Sequence, residues 1–166
     1  MSNYVEIKGS VHPQPKDHKK LGPCASSDQL TVTLLLRRKA GASKQAEIVA
    51  ADAPRPTRDQ FAEARGADQA EIDKVVAFAK SAGLDVVESD TARRSVVVRG
   101  SVAAINKAFA VQLKDYQYER GKYRSHDGTV SLPSDVAGYV KAVVGLTNRP
   151  VRAVHFSTVR RRNPAD

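Results

Sequence analysis

The residues that could do chemistry are few, and their spacing keeps them apart. Ser125 and His126 stand side by side, the residue types of nucleophilic catalysis. Adjacent side chains on a strand point to opposite faces, and no third group nearby completes a triad. There is no G-x-S-x-G turn, and Ser101 and Ser134 precede helical patterns where a capping hydroxyl explains them. His12, His18, His126 and His155 contain no i,i+4 pair, so the spacing predicts neither a metal site nor a cofactor. Asp59 and Glu63 sit one helical turn apart, which reads as a solvated face in the absence of a cleft. Cys24, the only cysteine, excludes an intramolecular disulfide and a cysteine metal cluster. Its Gly-Pro-Cys-Ala-Ser context carries no activating His. The expectation is a chain with no catalytic residues of its own.

Charge and aromatics raise a second chemistry. The 166 residues carry a formal charge of +9. Residues 145–166 hold five Arg and one Asp, so positive charge is densest at the C-terminal end and suits an anionic partner. Tyr116, Tyr118 and Tyr123 interleave with Lys114, Arg120, Lys122 and Arg124, a pattern that could stack bases and bind phosphates. A hairpin with cross-strand tyrosine pairs explains the same residues. A basic nucleic-acid-binding module therefore stays open as the alternative function, although the central strands lack the aromatics of RNA-recognition sheets. The longest apolar run is far too short to span a bilayer, and the polar first thirty residues show no export signal.

The elements that would position these groups follow from periodicity. Residues 1–29, with Pro13, Pro15, Gly22 and Pro23, read as an irregular arm. Leu30, Val32, Leu34 and Leu36 alternate with polar residues and predict a strand. Thr57 with Gln60 forms a capping box before a short helix, and Asp68 opens a longer one whose Ile72, Val75, Val76 and Ala79 share a stripe. Strands over 84–90 and 94–100 form a hairpin. Ser101 caps a helix carrying Ile105 and Phe109, and 111–119 is the next strand, turned at Arg120-Gly121 into 122–126. Ser134 is expected to cap a last helix, its apolar face made of Val136, Tyr139, Val140, Val143 and Val144. The order predicts an α+β fold, a ferredoxin-like βαββαβ antiparallel sandwich with an additional hairpin and a C-terminal helix. Its parts are an arm (1–29), a core (30–147) and a basic tail (148–166).

LTVTLLLRR, PTRDQFAEARGADQAEIDKVVAFAKSAGLDV, GSVAAINKAFAVQL and YRSHDGTVSLPSDVAGYVKAVVGLTNRP occur in that order. Within them stand Gln60-Phe61-Ala62, Val102 to Asn106 with Phe109, Tyr123-Arg124, Leu132-Pro133, and Val144-Gly145-Leu146 before Arg149-Pro150. Over roughly residues 28–156 the chain resembles the N-terminal pro-domain of sedolisin (kumamolisin-like) serine-carboxyl peptidases. The resemblance implies a secreted, extracellular zymogen. In it this domain would chaperone and inhibit a protease domain in the same precursor until acid triggers self-cleavage. The Gly-Thr-Ser motif of that catalytic domain is absent here, where Gly128-Thr129 is followed by Val130.

The tail is then expected to run through the protease cleft as a substrate would. Arg149, Pro150, Val151, Arg152, His155 and Phe156 are the candidate contacts, with Pro150 starting the segment extended. Tyr116, Tyr118, Tyr123 and Arg124 on the hairpin are expected to supply further contact area.

Overall fold

The structure is a computed structural model that describes residues 3–40 and 57–150. The candidate tail contacts Val151, Arg152, His155 and Phe156 lie outside the described residues. The described elements are β1 (Tyr4–Glu6), β2 (Lys19–Pro23), β3 (Gln29–Leu36), α1 (Arg58–Arg65), α2 (Gln69–Ser81), β4 (Asp85–Asp90), β5 (Ser95–Ser101), α3 (Val102–Phe109), β6 (Leu113–Tyr118), β7 (Gly121–His126), β8 (Ser131–Pro133), α4 (Ser134–Ala137) and β9 (Val140–Val144).

The main sheet has the order β4-β5-β3-β9, all antiparallel. With α2 between β3 and β4 and α3 after β5, this is the ferredoxin-like arrangement. The inward side chains of β3, Leu30, Val32, Leu34 and Leu36, are buried with Val96 and Val98 of β5. Ile72, Val75 and Ala79 of α2 and Val102, Ile105 and Phe109 of α3 cover that face. Aliphatic alternation on the strands and the i,i+3,i+4 stripes on the helices thus fit one shared core.

Three helix starts follow the expected chemistry. Thr57 Oγ1 accepts from Gln60 N–H (3.3 Å) while Gln60 Oε1 accepts from Thr57 N–H (2.9 Å). Asp68 accepts from Ala70 N–H at 2.8 Å, and Ser101 from Ala104 N–H at 3.2 Å.

The last part of the core departs from the sequence expectation. The predicted helix after Ser134 is one four-residue turn, α4, with Pro133 rather than Ser134 at its N-cap and no capping side chain among the described residues. Residues 140–144 form β9 instead, and β9, not β6, is the fourth strand of the main sheet. Val140, Val143 and Val144 suit either period over so short a run, and three β-branched residues bounded by Gly138 and Gly145 favour the strand. Gly145 has φ +103°, and a Cβ there would lie 2.8 Å from the carbonyl oxygen of Thr31, so only glycine lets the chain leave β9 this close to β3.

The arm is likewise not irregular. β1 pairs with β8, and β2 pairs with β6, which pairs with β7, giving a second sheet β2-β6-β7. Prolines 13 and 15 break the arm only between its two strands.

Candidate functional site

The second sheet and the segment leaving β9 converge on β7. Leu146 is buried, and the backbone then runs beside Arg124. The Arg124 guanidinium donates to the carbonyls of Leu146 and Gly145, both at 3.2 Å. The Arg124 backbone closes the contact from the other side. Its carbonyl accepts from Asn148 N–H (3.1 Å) and Thr147 Oγ1 (3.1 Å), and its N–H donates to Asn148 Oδ1. Residues 146–148 are thereby rooted on the free edge of β7. Arg149 and Pro150 are exposed beyond that root, and Arg149 Nη1 donates to the Pro13 carbonyl of the arm at 3.1 Å.

Arg124, expected to touch a partner, is half-buried and spends its donors on the exit segment. Tyr116 and Tyr123 are 3% and 2% exposed and stack on each other across β6 and β7, centroids 5.4 Å apart. Their rings build the sheet and offer no area to a partner; only Tyr118, half-buried, remains at the surface. The same burial removes the base-stacking platform on which the nucleic-acid reading leaned.

Asp127, which the sequence reading did not single out, is the hub of this sheet. Its Oδ2 accepts from Lys20 and Lys114, each at 2.9 Å, and its Oδ1 accepts from the Tyr116 hydroxyl. The Tyr116 hydroxyl, then Lys114 and Lys20, hold its carboxyl well below the usual carboxylate range. Burial, followed by the bond to Asp127, pushes the Tyr116 phenol up. Cys24 Sγ donates to Asp115 at 3.3 Å, and burial, then Asp115, pushes its thiol to about 12, so it is held as an inert thiol.

Ser125 and His126 are each 1% exposed, and Ser125 Oγ accepts from Gln14 Nε2 at 2.8 Å. The pair is thus enclosed under the arm rather than open to a substrate. Among the described residues no three His, Cys, Asp or Glu converge on a metal position, and no helix is long and apolar enough to cross a membrane.

The outward face of the main sheet is a separate surface. Leu35 and Val144 are exposed there, beside half-buried Thr33, Val97 and Ala142, aligned by the register Val97–Thr33–Val144 and by Leu35–Ala142. Alternation on β3 places Leu35 opposite the core, and nothing in the sequence says whether such a face is covered.

A ferredoxin-like sheet and its helices, with residues 146–148 bonded along the edge strand β7, define a small α+β domain. The chain belongs to the family Pro-kumamolisin, activation domain, which it matches over residues 16–149. It is therefore a pro-domain of the sedolisin family. It is 35% identical over 161 residues to kumamolisin of Bacillus sp. (strain MN-32), covering 93% of this chain and 29% of that protein. Xanthomonalisin of Xanthomonas sp. (strain T-22) is 28% identical over 96 residues, 58% of this chain and 12% of the relative. Tripeptidyl-peptidase sed5 of Aspergillus fumigatus is 24% identical over 164 residues, 86% of this chain and 28% of the relative. The chain spans less than a third of the length of each of these relatives.

Proposed function

We propose that this domain is the intramolecular chaperone and inhibitor of a secreted, acid-acting serine-carboxyl endopeptidase, and that it works on a protease domain in the same precursor. The observation that carries the reading is the rooted exit. Arg124 fixes Leu146 to Asn148 on β7, with Arg149 and Pro150 exposed beyond that root. A segment launched this way enters a neighbouring cleft extended, as a substrate does, and tethering supplies an effective concentration on the order of millimolar. Exposed Leu35 and Val144 on the outer sheet face offer apolar area for the body of the protease domain.

The charge gives the acid response. A +9 domain attracts a protease rich in carboxylates. Arginine partners lower the carboxylates' acid constants, so the attraction is present above their unpaired values and fades as pH falls through the lowered ones. Arg149, Arg152 and His155 are the proposed contacts; a charged His155 would tighten an acidic contact, so release rests on the partner's carboxylates.

The test adds the chain to a mature sedolisin-type protease at pH 7 and pH 4, beside a version ending at Pro150. Inhibition at pH 7, weaker at pH 4 and lost on truncation with the circular dichroism unchanged, is expected. Equal inhibition at both pH values, or none at either, refutes the reading.

A further inference from the structure

Three imidazoles gather over one strand, and the propeptide reading uses none of them. His126 closes β7 with 1% exposure, and its Nδ1 is buried without a hydrogen-bond partner among the described residues. His12 of the arm packs edge-on against it, centroids 5.5 Å apart and planes 81° apart. Two residues further along the arm, Gln14 Nε2 donates to Ser125 Oγ and to the His12 carbonyl, both at 2.8 Å. Tyr123 donates its hydroxyl proton to Gln14 Oε1 at 2.8 Å, so its oxygen accepts from His18 Nδ1 at 2.7 Å. The strap from His12 to His18 is itself mostly exposed, and these contacts bind it to β7. Its Pro13 carbonyl is the group that Arg149 holds.

We propose that residues 12–18 are an acid-opened latch on the exit segment, closed by uncharged His126 packed against His12 and by the His18–Tyr123–Gln14–Ser125 hydrogen-bond chain. The latch itself needs only this fold; that it governs activation rests on the propeptide reading above.

The two buttons respond to acid differently. The His18 button already uses Nδ1 as a donor, and a second proton on that ring leaves the bond to Tyr123 intact. The His126 button cannot be charged in place without cost. A proton on its buried Nδ1 would be a donor with no acceptor among the described residues, and a charged His12 would face it. The groups around it do not offset this. Leu113 is its apolar cross-strand neighbour on β6. Arg124 on β7 and Arg149 on the exit segment are positive and bonded to carbonyls. Asp127 is adjacent and favours the charged ring, but its oxygens are bonded to Lys20, Lys114 and Tyr116.

Burial, then His12, accordingly holds the His126 pKa below its ordinary value, against smaller raising effects of the Gly128 backbone and Asp127. The closed latch therefore takes up a proton less readily than the open one. Its closure is at full strength above the open-state value of about 6.5 and weakens below it. Opening grows by up to about tenfold per pH unit for each proton taken up, until the closed-state value is reached. Opening withdraws the Pro13 carbonyl from Arg149 and frees the exit segment on that side.

The experiment is hydrogen exchange on the 166-residue chain between pH 7.5 and 4.5, corrected for intrinsic rates, with His126→Phe alongside and no protease present. Segments covering 11–18 should lose protection on acidification severalfold more than β3 or β5, and His126→Phe should hold the strap closed across the range. Should His126→Phe fail to fold, the imidazole titration of His126 in the unaltered chain decides: a midpoint below about 6.5 that tracks strap opening supports the latch. A strap whose protection ignores pH, or which opens identically in His126→Phe, overturns it. Inhibition of a protease is not read in this experiment, so the latch can fail while the propeptide reading stands, and the reverse.

Discussion

Replacing Arg124 with alanine tests whether the exit is rooted as described. The side chain gives two bonds, to the carbonyls of Leu146 and Gly145, both 3.2 Å. A hydrogen bond from a charged donor contributes about 1.5–3 kcal/mol. Both bonds come from one half-buried guanidinium, so they are not additive and are partly screened, and about 2 kcal/mol for the pair is the working figure. That is roughly a 30-fold rise in the local opening equilibrium. The Asn148 amide, which donates to the Arg124 carbonyl at 3.1 Å, reports it by hydrogen exchange. Arg124→Lys keeps a charge but reaches one carbonyl at best, so it should recover about half the loss. Exchange at Asn148 within about twofold of the parent in Arg124→Ala would refute the clamp.

Two further substitutions probe the supports of that site. Asp127→Asn removes a carboxylate whose lowered pKa contributes stability above the ordinary carboxylate value of about 3.9 and loses it as pH falls toward the folded value. At 43% side-chain exposure the effect is discounted to about 1 kcal/mol at pH 7, and urea midpoints of parent and variant should converge below about pH 4. Gly145→Ala combines φ +103° with a Cβ 2.8 Å from the Thr31 carbonyl oxygen, and should cost about 2–3 kcal/mol in urea unfolding.

The sequence carries the elements from β3 to β7 and loses the strands of the arm and β9. β3 and α2 are legible because each repeats one period long enough to exclude the other. The run 140–144 is too short for that, and its place as the fourth strand depends on Gly145 passing close to Thr31, a contact made by residues far apart in sequence. β2 fails for a related reason: Lys19 to Pro23 has no alternation, and its pairing comes from β6. The tyrosines are visible as a hairpin cluster, but their burial is decided by the arm lying over β7. Asp127 and Arg124 are missed as structural centres because single polar residues declare their partners only in three dimensions. Of the tail contacts, Arg149 and Pro150 are found exposed at the exit, while their meeting with a protease is the proposal above.

The supports of the exit segment differ in what they sense. On the Arg124 side every group is a guanidinium, a backbone amide, a carbonyl or an uncharged side chain, and none of these changes protonation between neutral pH and pH 4. On the arm side the support is Pro13, held between Gln14 and the His12 that packs on His126. Acid therefore acts on one side of the segment and spares the other. The root at Leu146 to Asn148 stays fixed while Arg149 loses its carbonyl. A propeptide arranged this way would loosen its tail without unfolding its body. The Asp127 hub fits that division, since its lowered pKa keeps the β2-β6-β7 sheet intact at pH values where His126 has already opened the strap.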